Sequence, residues 1–250
     1  MAAVESIVTS SIEGGVAILS FCDWQSQNAL DDRTVPLLED ALVNLGSDAA
    51  VNVIVLEGLP DVFCSGGSRD MLLALARQRR TPADVLLPKR VLDVPVPVIA
   101  AMAGHAVGGG FALGACADIV LLARESRYGL PFMNFGFTPG MGTTRLLEHV
   151  LSPAIAHELL YTGEHVRGTH FENKGGFNYV LPKAEVVPKA RDIAGRIAEK
   201  PRLSLEVLKA TLSLPKRQCF EQTLTLETLM HRVTLHGTDI ARRIDEELST

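Results

Sequence analysis

The hydrophobic pattern changes character twice along the chain. β-rich runs flank Glu13-Gly14-Gly15 in ESIVTSSIEGGVAILSF, which predicts a hairpin turning at the glycines. LDDRTVPLLEDALVNLG then places Val35, Leu38, Leu42 and Leu45 on one helical face, with Asp31 or Asp32 as the cap. VNVIVLEG reads as a buried strand from its β-branched content. Strand, glycine turn and helix recur in VFCSGGSRDMLLALARQ and PVPVIAAMAGHAVGGGFALGA, and ADIVLLARES adds a further strand, so parallel α/β units are expected. Beyond Gly142 the pattern turns helical, through TTRLLEHVL, SPAIAHELLYTG, KAEVVPKARDIAGRIAEK and SLEVLKATLSL, punctuated by Pro201 and Pro215. One long amphipathic helix is predicted from about Cys219 to Leu248, with Phe220, Leu224, Met230, Val233, Ile240 and Ile244 on its apolar face.

Composition narrows the class. With 250 residues, 47% of them hydrophobic, the chain can bury a sizeable core. We expect residues 1–200 to form the α/β core and 201–250 a helical region belonging to the same functional unit. A formal net charge of −5 supplies no basic face for nucleic acid. No charged and apolar leader opens the sequence, and the apolar stretch Val94–Ala123 is interrupted by prolines, glycines, His105 and Asp118, so a cytoplasmic protein without a membrane span is expected. Cys22, Cys64, Cys116 and Cys219 have no metal-ligand spacing, and no metal is expected.

The chemistry concentrates at two glycine turns that each follow a strand: Phe63-Cys64-Ser65-Gly66-Gly67, and Gly104 through Gly110. Neither fits a dinucleotide GxGxxG fingerprint or a GxxxxGK[ST] loop. Two turns at helix starts can instead each lend one N–H to a shared oxygen.

FCSGG, PVIAAMAGHAVGGGFALGACADIVL and FGFTPGMGTTRLL resemble the crotonase superfamily, the enoyl-CoA hydratase/isomerase-like proteins, over nearly the whole chain. The resemblance implies an α/β fold of repeated ββα units, a crotonase-like superhelix, with a C-terminal helical trimerisation region that gives a homotrimer or dimer of trimers. It also implies an oxyanion hole built from the N–H groups of Gly67 and Gly109, which would hold a thioester carbonyl as it becomes an enolate.

The hydratases of that superfamily carry glutamates where this chain has Ala112 and Phe132. Neither side chain can activate water or shuttle a proton. Loss of carbon dioxide from a carboxylate vinylogous to a thioester needs the oxyanion hole but no base. FMNFGFTPGMG, GHAVGGGF and LETLMHRVTLHG more closely resemble the decarboxylases of polyketide β-branching cassettes. That resemblance implies a 3-methylglutaconyl-type thioester on the phosphopantetheine of an acyl carrier protein, or on coenzyme A, converted to a 3-methylcrotonyl-type product with no further cofactor. It places His231 as proton donor; the alternatives for this residue are an i, i+4 pairing with Glu227 on a solvated face, and His105 as the rival acid. The lysine these decarboxylases carry after the first glycine turn is missing. Arg77, Arg80 and Lys89 are the candidate cations for substrate, and Arg77 and Arg80 equally suit a surface facing the carrier. The competing functions are dehydration of a 3-hydroxy-3-methylglutaryl thioester, which would need the base that Ala112 and Phe132 remove, and a non-catalytic protein that binds an acyl carrier.

Overall fold

The predicted hairpin forms from β1 (Val8–Glu13) and β2 (Val16–Phe21), with Gly14 and Gly15 at φ 55° and 82°, the left-handed pair that a two-residue turn between twisted strands requires. The computed structural model describes residues 6–77, 86–237 and 239–248. After β3 (Ala29–Leu30) comes α1 (Thr34–Ser47), whose start is held by Asp31: its carboxylate accepts the N–H groups of Arg33 and Thr34, each at 2.8 Å. The expected face of α1, Val35, Leu38, Leu42 and Leu45, is buried.

A strand, a shorter strand and a helix then repeat. β4 (Val53–Glu57), β5 (Val62–Cys64) and β6 (Gly66–Gly67) lead into α2 (Arg69–Ala76). After α3 (Leu87–Asp93), β7 (Val98–Met102) and β8 (His105–Val107) lead into α4 (Gly109–Ala115), and β9 (Ile119–Ala123) and β10 (Arg127–Gly129) follow. The second half runs through α5 (Thr143–Leu146), α6 (Pro153–Thr162), β11 (His165–Arg167), β12 (Tyr179–Leu181), α7 (Lys183–Ala198), α8 (Arg202–Leu212), α9 (Leu214–Thr234) and α10 (Ile240–Leu248).

The first strands of the units build one sheet in the order β1-β2-β4-β7-β9-β12, parallel apart from the β1–β2 hairpin. The shorter strands build a second sheet, β11-β10-β8-β5, and β3 pairs with β6 by itself. β4 and β7 are buried along their whole length, because α7 covers one face of the sheet through Val186, Ala190, Ile193 and Ala194 while α1, α3 and α4 fill the other. Among the described residues no helix is long and apolar enough to cross a membrane.

Two expectations change. The stretch after Gly142 also contains β11 and β12, three-residue strands too short for a period of two to register. The single final helix is two: α9 begins at Leu214, with Pro215 in its first turn, and ends at Thr234; the chain re-enters helix at Ile240. Of the expected apolar face, Phe220, Ile240 and Ile244 are buried, but the buried stripe of α9 continues through Thr223, Glu227 and His231, and Val233 is 76% exposed. The reason lies in the site, where polar side chains are drawn inward by backbone partners.

Candidate active site

The β3–β6 pair and the start of α4 bring the two glycine turns together. Ser68 donates its N–H to the Leu30 carbonyl at 2.8 Å, so strand alternation turns the Gly67 N–H away from β3. Gly109 opens α4, where an N–H has no carbonyl one turn earlier to accept it. Gly108 at φ 51° makes the entry. A Cβ on Gly66 would lie 2.8 Å from the Val107 carbonyl oxygen and 3.8 Å from the Gly109 nitrogen, so only glycine allows the turns to approach this closely.

Gly67 and Gly109 both line a cavity of about 50 Å³. Its other walls are apolar: Leu30 from β3, Met71, Leu72 and Leu75 from α2, Phe132, Phe137 and Met141 from the segment before α5. His231 is the one titratable side chain among the described lining residues. The cavity therefore brings together Gly67, Gly109 and one imidazole with little competing polarity.

His231 is 3% exposed. Its Nε2 lies 2.6 Å from the Thr138 carbonyl, and since a carbonyl only accepts, this nitrogen carries the hydrogen. In the neutral ring Nδ1 is then a lone pair, buried and without a hydrogen-bond partner among the described residues. Burial pushes the imidazole below its ordinary pKa, and the Thr138 bond opposes this only in part. The Phe137 ring meets it edge-on at 6.1 Å between centroids.

The surface pairing with Glu227 does not occur. Glu227 is 1% exposed and accepts three hydrogen bonds from the Gly142–Thr144 turn: the Gly142 N–H at 2.7 Å, the Thr144 N–H at 3.0 Å and the Thr144 hydroxyl at 2.6 Å. Burial raises its pKa against these bonds. Sequence reasoning passed over this role; its one signal was a glutamate a helical turn before His231, and the partners are 85 residues and fewer away in sequence.

The remaining candidates scatter. Phe132 lines the cavity, whereas Ala112 lies a turn into α4, 1% exposed and off the lining. Arg77 is exposed at the end of α2, two residues past Leu75, and Arg80 lies outside the described residues. Lys89 is off the lining and pairs with Asp93 at 2.5 Å along α3. His105 is also absent from the lining, and its Nδ1 accepts the Arg127 N–H at 2.8 Å, a structural bond. Cys64 packs beneath Gly110, where burial pushes its thiol up to about 12, so it is no nucleophile.

Residues 11–246 match the enoyl-CoA hydratase/isomerase family. The chain is 37% identical over 233 residues to the bacillaene synthase decarboxylase PksI of Bacillus subtilis, covering 93% of this chain and 94% of that protein. It superposes with a TM-score of 0.93, at 36% identity and covering 96% and 98% of the two chains, on a structure from a dehydratase/decarboxylase enzyme couple of polyketide β-branching. It superposes with a TM-score of 0.89, at 34% identity and covering 96% and 99%, on the ECH2 decarboxylase domain of CurF from Lyngbya majuscula.

Proposed function

Because this chain belongs to the enoyl-CoA hydratase/isomerase family, we infer that it works within that family as a carboxy-lyase of polyketide β-branching. The protein is a decarboxylase, in keeping with its likeness to PksI and the CurF domain. We propose as its substrate a 3-methylglutaconyl-type thioester on an acyl carrier protein. The observation that carries the reading is the make-up of the cavity: Gly67, Gly109 and one histidine, with apolar side chains elsewhere and no carboxylate among the described lining residues.

In the proposed reaction the substrate carboxylate enters among Met71, Leu75 and Phe132, where leaving as neutral carbon dioxide relieves its desolvation. The C–C bond breaks, and its electron pair passes through the alkene to the thioester oxygen. The N–H groups of Gly67 and Gly109 hold the resulting dienolate. His231, charged once the anionic substrate is beside it, gives its proton to carbon and returns to neutral imidazole. A glutamate at position 132 would repel the substrate carboxylate.

Arg77 is the cation we assign to the acidic carrier, since it is exposed next to the cavity-lining end of α2. Self-association as a homotrimer, or a dimer of trimers, is part of the proposal. Its support is the exposed apolar set on α8 and α9, Leu203, Val207, Leu212, Leu226, Leu229 and Val233.

The test is incubation with a carrier-bound 3-methylglutaconyl thioester and measurement of the acyl mass. Loss of the mass of carbon dioxide is expected. Loss of the mass of water from the 3-hydroxy-3-methylglutaryl thioester instead would make the protein the dehydratase.

A further inference from the structure

Met141 and Gly142 are consecutive left-handed residues, at φ 60° and 80°. A methionine in that region is strained, and it persists only where its surroundings hold it. The consequence is local to the site. Met141 is turned so that its thioether covers Gly109: a Cβ on Gly109 would meet the Met141 Sδ at 2.8 Å. The strained residue thus roofs the Cα of one of the two donor glycines.

Two things hold this turn. On one side Phe220 packs against Gly142, where a Cβ would come within 2.4 Å of the ring. On the other, the Glu227 carboxylate takes the Gly142 N–H on Oε2 and both the N–H and hydroxyl of Thr144 on Oε1. Among the described residues no cation pairs with Glu227, so its oxygens are committed to the turn. Phe220, Glu227 and His231 share the buried stripe of α9, which sets the roof of the oxyanion site and the imidazole from one rigid element.

We propose that Glu227 is a positioning residue for decarboxylation: by clamping Gly142 and Thr144 it keeps the left-handed Met141 over Gly109. The inference rests on the decarboxylase reading. Glutamine at this position has one acceptor oxygen, so in either orientation its NH₂ group faces the N–H of Gly142 or that of Thr144, and the clamp is broken while size is kept.

The experiment compares wild type, Glu227→Gln, Met141→Ala and the double variant, assayed well below their unfolding midpoints. In Glu227→Gln, amide exchange of the 139–144 peptide should quicken by about tenfold with other peptides unchanged. Its kcat should fall by about tenfold to a hundredfold, with KM held within about threefold. The double variant should lose no more than the worse single variant, since both act on one roof. Unchanged kcat in Glu227→Gln, or losses that multiply in the double variant, would overturn the proposal, and so would exchange that does not respond. Failure of wild type to release carbon dioxide, with exchange still responding to Glu227→Gln, refutes the function and leaves the clamp standing.

Discussion

His231→Gln separates the proton from the scaffold. The imidazole has two tasks: Nε2–H bonds the Thr138 carbonyl at 2.6 Å, and in the proposed reaction the ring, the one titratable group among the described lining residues, supplies the proton. A glutamine amide can replace the first but has no titratable group, so unfolding free energy should stay within about 1 kcal/mol of wild type. His231→Ala leaves the carbonyl unbonded and should cost about 1–3 kcal/mol. A positioned general acid contributes about 10²–10⁴ in rate, equivalent to about 3–5 kcal/mol, and kcat of the glutamine variant should fall by that factor. The pH dependence fixes the sign. Burial places the His231 pKa below 6.5 in the free enzyme, and the charged ring is the donor, so wild-type kcat/KM should fall as pH rises above that lowered value. kcat should hold to higher pH, because the substrate carboxylate favours the imidazolium in the complex. The glutamine variant should lack this dependence. Release of carbon dioxide by His231→Gln within about threefold of wild type, or with the same pH profile, refutes His231 as the acid.

Gly109→Pro removes the N–H at the first position of α4, where proline suits a helix start; a loss of about 10²–10³ in kcat with a folded circular dichroism spectrum is expected, and retained turnover would sink the oxyanion assignment. Ala112→Glu should give no hydratase, because position 112 is buried off the cavity lining; detection of a 3-hydroxyacyl product would show that the site's polarity has been misread. Asn28→Ala should cost about 3–5 kcal/mol in denaturant unfolding, since Asn28 is fully buried, accepts the Asp23 N–H at 2.8 Å and donates to the Phe21 and Phe63 carbonyls at 2.7 and 3.0 Å; a loss below about 1 kcal/mol would contradict that. Val233→Glu should shift sedimentation toward the monomer, and an unaltered trimer would remove α9 from the proposed interface.

Much of the fold was legible because local chemistry declares it. Gly14-Gly15 specifies the left-handed hairpin turn, the spacing of Val35, Leu38, Leu42 and Leu45 specifies the inner face of α1, and the apolar run Val53–Leu56 of β4 and the all-apolar β7 announce strands covered on both faces. The short β11 and β12 carried too little pattern. The break between α9 and α10 was hidden because both halves are amphipathic and only their packing tells that the axis changes; α10 turns onto α2, where Asp245 pairs with Arg69 at 2.6 Å.

The site divides the same way. Gly67, Gly109 and Phe132 were named from motifs and line one cavity, and the absence of carboxylates at 112 and 132 could be read directly. What tertiary structure alone decided was partnership: that Glu227 bonds a turn 85 residues earlier rather than His231, that Nε2 of His231 is committed to Thr138, and that Lys89 is engaged by Asp93 away from the cavity. Backbone conformation and burial follow from short-range sterics and periodicity, which a sequence carries within a few residues. The partner of a buried polar group depends on which distant backbone carbonyl or N–H the folded chain brings within 3 Å, and no local pattern records that.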